Sequence, residues 1–323
     1  MTTTTAPPPV DVSIGPLGEA DLLSADDIMR RAFGTFLGMP DPGSFMQTAD
    51  YVRTRWAADP SAAFAATVGG QLVGSNFATG WGSVGFFGPL TVSPHLWDQG
   101  VGARLVDPVL ERLDSWGCRH VGLFTFAHSP KHVELYRRFG FWPRSLTAVM
   151  RRHVPPGTTT DERWQPLRSL PDGQQAEAIV ACRAVADEVF GGLDLGREIT
   201  AADRLGLGET VLLGDSNALD GFAVCHLGSG TEAGEGVCYI KFGAVRPGIG
   251  AAARFGRLLD ACEALAVQHG LPVVEAGVSL ARVGAYTLLV DRGYRAGLQG
   301  VAMHRPNEPG YSHAAAWVVD DWR

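Results

Sequence analysis

One succession of elements occurs twice in this chain, and that recurrence constrains the fold more than any other feature. An apolar strand, "GFFGPLTVS" at 85–93, leads through the glycine-rich turn "WDQGVGARL" at 97–105 into a helix. A second apolar strand follows, "HVGLFTFA" at 120–127, then a short helix that closes on Phe139-Gly140-Phe141. Farther on, "GVCYIKFGAV" at 236–245, "GIGAAARF" at 248–255, "LPVVEAGVSL" at 271–280 and a helix closing on Arg292-Gly293-Tyr294 repeat the order. The unit is too long, and its copies too few, for a solenoid, so duplication of a domain is the simplest account.

The elements around each unit complete the reading. "VDVSIGPLG" at 10–18 reads as a strand, 20–38 as a helix, and two strands join at Gly69-Gly70. From Val101 the apolar positions Leu105, Val106, Val109, Leu110, Leu113 and Trp116 have helical spacing, with Gly117 as the stop and Pro108 expected to bend the helix. Ser129 and Pro130 open the short helix, as an N-cap and a first-turn proline should. In the second copy 169–190 reads as a helix region, 209–227 as a hairpin, and "AAAWVVDDWR" at 314–323 as a final strand with a docked end. The expected fold class is α+β: two tandem units, each a mixed, mostly antiparallel sheet flanked by helices. The expected divisions are a disordered Thr/Pro tail at 1–9, a first domain at 10–153, a Pro/Thr-rich linker at 154–163 and a second domain at 164–323.

Bulk composition removes several function classes. Hydrophobic content of 46% supplies real cores, and a net charge of −7 without a Lys/Arg-rich run lacks the footprint of a nucleic-acid binder. The five cysteines, Cys118, Cys182, Cys225, Cys238 and Cys262, lie in apolar surroundings without metal-ligand spacing, so they read as reduced core residues, and no metal is expected. The N-terminus lacks a signal peptide pattern, and no apolar run approaches the ~20 residues of a membrane helix, so a cytoplasmic protein with no membrane partner is expected.

The turn at 97–105 carries the chemistry. A helix start leaves its first amides unpaired, and the helix dipole adds roughly half a positive charge there. Small residues at Gly100, Gly102 and Ala103 let an anion reach those amides, so strand, Gly-turn and helix together suit a diphosphate. No Lys-Ser/Thr follows Gly102, which excludes a Walker loop, and the preceding antiparallel-looking strands fit a Rossmann fingerprint poorly. Tyr136, on a helix beside that turn, has an ordinary pKa near ~10 and so remains a proton donor at neutral pH.

"LTVSPHLWDQGVGARL", followed by "SPKHVELYRRFGF", resembles the GNAT acyltransferase superfamily over roughly residues 10–150. The resemblance implies that Asp98, Gln99, Gly100, Val101, Gly102 and Ala103 wrap the diphosphate of coenzyme A, with Trp97 standing where Gln or Arg is usual. It implies that the backbone of Leu90 and Val92 pairs with the pantetheine arm, that Ser129 holds the arm from the other side, and that Tyr136 protonates the departing thiolate. Acetyl-coenzyme A is then the co-substrate and an amine of a small molecule or peptide the acceptor. The base is expected at His128, just after the strand at 120–127, with Asp98, His95 and His132 as weaker candidates.

The second copy keeps Gly248 and Gly250 but has Leu289 where Tyr136 stands, so it reads as degenerate. It is expected to shape the acceptor pocket of the first copy or to hold a homodimer. The expected function is therefore N-acetyl transfer in the first copy. The alternatives are an acyl-coenzyme A-binding pseudoenzyme or sensor acting through a protein partner, and transfer of a longer acyl chain or to oxygen. Acidic net charge leans toward a cationic amine as acceptor.

Overall fold

The structure, a computed structural model, describes residues 11–159, 163–215 and 218–323, so the 1–9 tail and residues 160–162 of the 154–163 linker lie outside it. In the first copy, β1 (Ser13–Pro16), α1 (Leu22–Phe36) and α2 (Tyr51–Ala58) precede the hairpin β2 (Ala63–Val68) and β3 (Gln71–Trp81). Then come β4 (Val84–Phe87), β5 (Thr91–Val92), α3 (Val101–Ser115), β6 (His120–Thr125), α4 (Pro130–Arg137) and β7 (Trp142–His153). The second copy runs β8 (Trp164–Pro166), α5 (Asp172–Val189), α6 (Gly196–Arg204), β9 (Gly208–Asp215), β10 (Ala218–Leu227) and β11 (Val237–Val245). It ends with α7 (Ala251–Gln268), β12 (Val273–Ser279), α8 (Val283–Asp291), β13 (Arg295–Arg305) and β14 (Val318–Val319).

The amphipathic stretches form the helices that their spacing predicts. α3 buries Leu105, Val106, Val109, Leu110 and Leu113 against the sheet and runs on through Pro108. α7 buries Phe255, Leu258, Leu259, Cys262 and Leu265 in the same way. All five cysteines are free thiols.

The two copies do not keep separate sheets. One path of hydrogen-bonded strands runs β1-β2-β3-β4-β6-β13-β7-β12-β11-β10-β9-β8. One strand of each copy is exchanged: β13 lies between β6 and β7 of the first copy, and β7 lies between β12 and β13 of the second. Among the described residues only β4–β6 and β11–β12 pair in parallel, at equivalent places in the two copies.

Buried charges tie the copies together. Arg55 of α2 meets Glu232 at 3.0 Å, and Glu232 and Glu198 both meet Lys241 at 2.9 Å. The Arg55 and Lys241 charges hold the Glu232 carboxyl far below its ordinary value, despite its burial. Removing one partner from such a cluster would strand a buried charge.

Candidate active site

The parallel pairing of β4 with β6 ends at Phe86 opposite Gly122. Beyond it the strands separate. A left-handed Gly88 (φ 138°) turns the chain so that β5 pairs with β3 alone, while β6 continues along β13. The gap opens into a cavity of about 620 Å³. Residues 87–92 form one wall and Phe124, Thr125 and Phe126 the opposite one; α1, the start of α3 and α4 close it. The buried Arg55 guanidinium donates to the Gly88 carbonyl, so the ion cluster between the copies also fixes this wall.

The turn before α3 has the geometry an anion needs. Gly100 caps the helix at φ 79°, a left-handed conformation that favours glycine. Among the described residues, the amides of Val101, Gly102 and Ala103 find no partner. A Cβ on Gly102 would lie 3.8 Å from Leu135 and Val92, ordinary contact, so packing within the chain does not require glycine there. Trp97 donates its indole N–H to the Val92 carbonyl at 2.8 Å, and its ring lies under the Lys131 ammonium, which pairs with Asp98 at 2.6 Å.

Ser129 caps α4, its Oγ accepting from the His132 amide, and so sets the helix to face the cavity. Tyr136 is 7% exposed and lines the cavity, its ring edge-on to Phe87. Burial holds its phenol well above the ordinary value, and the hydroxyl makes no hydrogen bond to a described residue. One helical turn earlier, His132 also lines the cavity, with a buried Nδ1 that has no partner. Burial first, then the charges of Lys131 and His128, lowers its pKa, so the imidazole is neutral at pH 7.

The structure brings most of the expected site residues together. Leu90, Val92, Asp98, Gly100, Val101, Gly102, Ala103 and Tyr136 all line the cavity. Ser129 supports α4 without being part of the lining, and Gln99 is exposed and bonds to the His95 carbonyl. His128 does not line the cavity: it is exposed and stacks on Phe36. The imidazole that reaches the cavity is His132, because the Ser129 cap starts a helix that turns residue 132 inward. The sequence reading also lacks α2, whose Tyr51 lines the cavity, and Trp322 and Arg323, which reach it from the far end of the chain.

The second copy keeps the turn but not the gap. Gly250 caps α7 at φ 80°. The pairing of β11 with β12 ends at Ile240 opposite Ala276, and β14 then occupies the space, pairing Val319 with Gly243 and Val318 with Ala244. Arg282 donates to the Val318 carbonyl and pairs with Asp320 at 3.0 Å, which fastens the insert. Leu289, at the position of Tyr136, is fully buried. Among the described residues, no group of His, Cys, Asp and Glu side chains could hold a metal ion, and no helix is long and apolar enough to cross a membrane.

A split parallel pair, a glycine-led helix facing the gap and a tyrosine-bearing helix opposite are the parts of an acyltransferase fold. Residues 27–141 match the model of the acetyltransferase (GNAT) family, and this part of the chain is a GNAT acetyltransferase domain. Its class of chemistry is acyl transfer. No curated protein matches the chain by sequence. Among solved structures it is similar to a Pyrococcus horikoshii protein taken to be an acetyltransferase, with TM-score 0.68, 13% identity and coverage of 100% of this chain and 98% of that one. It is also similar to a GCN5-related N-acetyltransferase from Sphaerobacter thermophilus, with TM-score 0.62, 17% identity and coverage of 93% and 96%. A tandem GNAT protein from the clavulanic acid biosynthesis pathway aligns with TM-score 0.54, 13% identity and coverage of 91% and 98%. At such identities these likenesses speak of the fold, which is the tandem GNAT fold along the whole chain.

Proposed function

We propose that this protein is an acetyl-coenzyme A-dependent N-acyltransferase whose chemistry takes place in the first copy, with a small-molecule or peptide amine as acceptor. One observation carries the reading: Tyr136 and His132 face one cavity from a single helix, each with a free polar atom, and the free amides of α3 lie on the same cavity.

The residues divide the work as follows. The amides of Val101, Gly102 and Ala103 hold the diphosphate at the helix start. The walls at 87–92 and 124–126 take the pantetheine arm between them and exclude water. Acetyl-coenzyme A supplies the thioester. As the amine nitrogen bonds to the carbonyl carbon, His132 takes the proton the nitrogen loses. As the carbon–sulfur bond breaks, Tyr136 gives its proton to the sulfur. A neutral imidazole and a protonated phenol are the states that burial favours for these two groups. The second copy contributes no turnover of its own, since its gap holds β14 and its tyrosine position holds Leu289.

Release of thiol from acetyl-coenzyme A with a panel of amines tests this. Tyr136→Phe keeps the ring and its contact with Phe87 but removes the donor. Turnover should fall by about a hundredfold or more while coenzyme A binds as before. Full turnover in Tyr136→Phe would remove Tyr136 from the mechanism.

A further inference from the structure

Part of the cavity wall is aromatic. Phe33 and Phe36 of α1 meet Phe45, Phe126 and His132 in one connected set of rings, with centroids 5.3 Å apart for Phe33–Phe45, 4.7 Å for Phe36–Phe126 and 4.8 Å for Phe36–His132. All five line the cavity. Phe33, Phe36 and Phe45 are each only half-buried, although they lie side by side. Large apolar rings kept partly open beside a reacting centre mark a place for an apolar guest.

Charge narrows the guest further. The ionised groups on the cavity are Asp98, Lys131, Arg138 and Arg323. Among the described lining side chains Asp98 is the one carboxylate; it stands at the α3 end, and Lys131 already pairs with it. Among the described lining side chains, no other carboxylate meets a guest at the ring cluster. A second observation points to a ligand: Tyr51 is 4% exposed and lines the cavity, and its buried hydroxyl has no partner. Such a hydroxyl calls for a polar partner on whatever fills the space, and its oxygen can accept from an amine N–H.

We infer that the acceptor is an amine carried on an aromatic or comparably large apolar body, which packs on the Phe33–Phe36–Phe45–Phe126 cluster and places its nitrogen between His132 and the thioester. A polycationic amine is the wrong chemistry for this wall: it would lose its hydration and find, among the described lining side chains, only a carboxylate already paired with Lys131. The inference rests on the acyl-transfer reading of the first copy, and it refines the direction in which net charge alone leans.

Two probes test it on the full chain. 2-Phenylethylamine and spermidine are titrated calorimetrically into the protein saturated with coenzyme A, and each is offered as acceptor with acetyl-coenzyme A. 2-Phenylethylamine should bind about tenfold tighter than spermidine or better, and should be acetylated with the higher kcat/KM. Phe36→Ala should weaken its binding by about tenfold while coenzyme A affinity stays within about twofold, which also reports a folded variant. Equal or tighter binding of spermidine, no binding of 2-phenylethylamine, or indifference to Phe36→Ala would overturn the inference. Acetylation of spermidine alone would sink it and leave acyl transfer standing. Binding of 2-phenylethylamine that depends on Phe36, without thiol release from either amine, would support the aromatic site and count against acyl transfer.

Discussion

His132 and Tyr136 sit four residues apart, so the 3.6-residue period puts both on one face of α4. Tyr136 is legible through the resemblance of "SPKHVELYRRFGF" to the GNAT superfamily and through its place on a helix beside the glycine turn. The partner imidazole is harder to read. A strand end beside a cleft favours His128, and only the capped start of α4 shows that His132 turns inward while His128 stays on the surface against Phe36. The sign of the pH dependence follows from burial. A base with a lowered pKa loses its proton earlier as pH rises, so kcat/KM, taken per neutral amine, should climb through a midpoint below the ordinary histidine value of about 6.5. His132→Gln should flatten that limb and lower kcat/KM by roughly a hundredfold. An unchanged acid limb in this variant would place the base elsewhere.

Elements were more legible than their partners. Helix periodicity gave α1, α3 and α7, the Ser129 cap with Pro130 gave α4, and the doublet Gly69-Gly70 gave the β2–β3 hairpin. The exchange of β7 and β13 was not readable, since two strands with alike apolar patterns fit either neighbour and no local signal names which one. The glycines that accommodate the tail carry the same lesson. A Cβ on Gly277 would lie 2.2 Å from the Cβ of Asp321, and one on Gly122 would lie 2.0 Å from the Trp322 ring, yet in sequence both read as ordinary strand residues. Gly277→Ala should therefore force the segment around β14 out of its groove and cost about 1–3 kcal/mol, read as a lower urea midpoint. A midpoint equal to that of the parent would mean that the segment does not pack on β12 as described.

At the scale of the whole molecule, one sheet and one buried ion cluster join two copies that differ at the equivalent gap. The first copy leaves its split strands open; the second fills the equivalent gap with β14, and the residues just beyond, Trp322 and Arg323, reach the first copy's cavity. Duplication was visible in the sequence through the repeated turn and helix. The filling of one gap was not, because it depends on where the far end of the chain returns. The central claim is that the open gap alone binds the co-substrate, and the direct measurement is calorimetric titration with coenzyme A. The account predicts one site per chain, lost in Gly102→Glu, which sets a negative charge among the free amides of α3, and kept in Gly250→Glu. Two equal sites, or a site that survives Gly102→Glu and vanishes in Gly250→Glu, would contradict it.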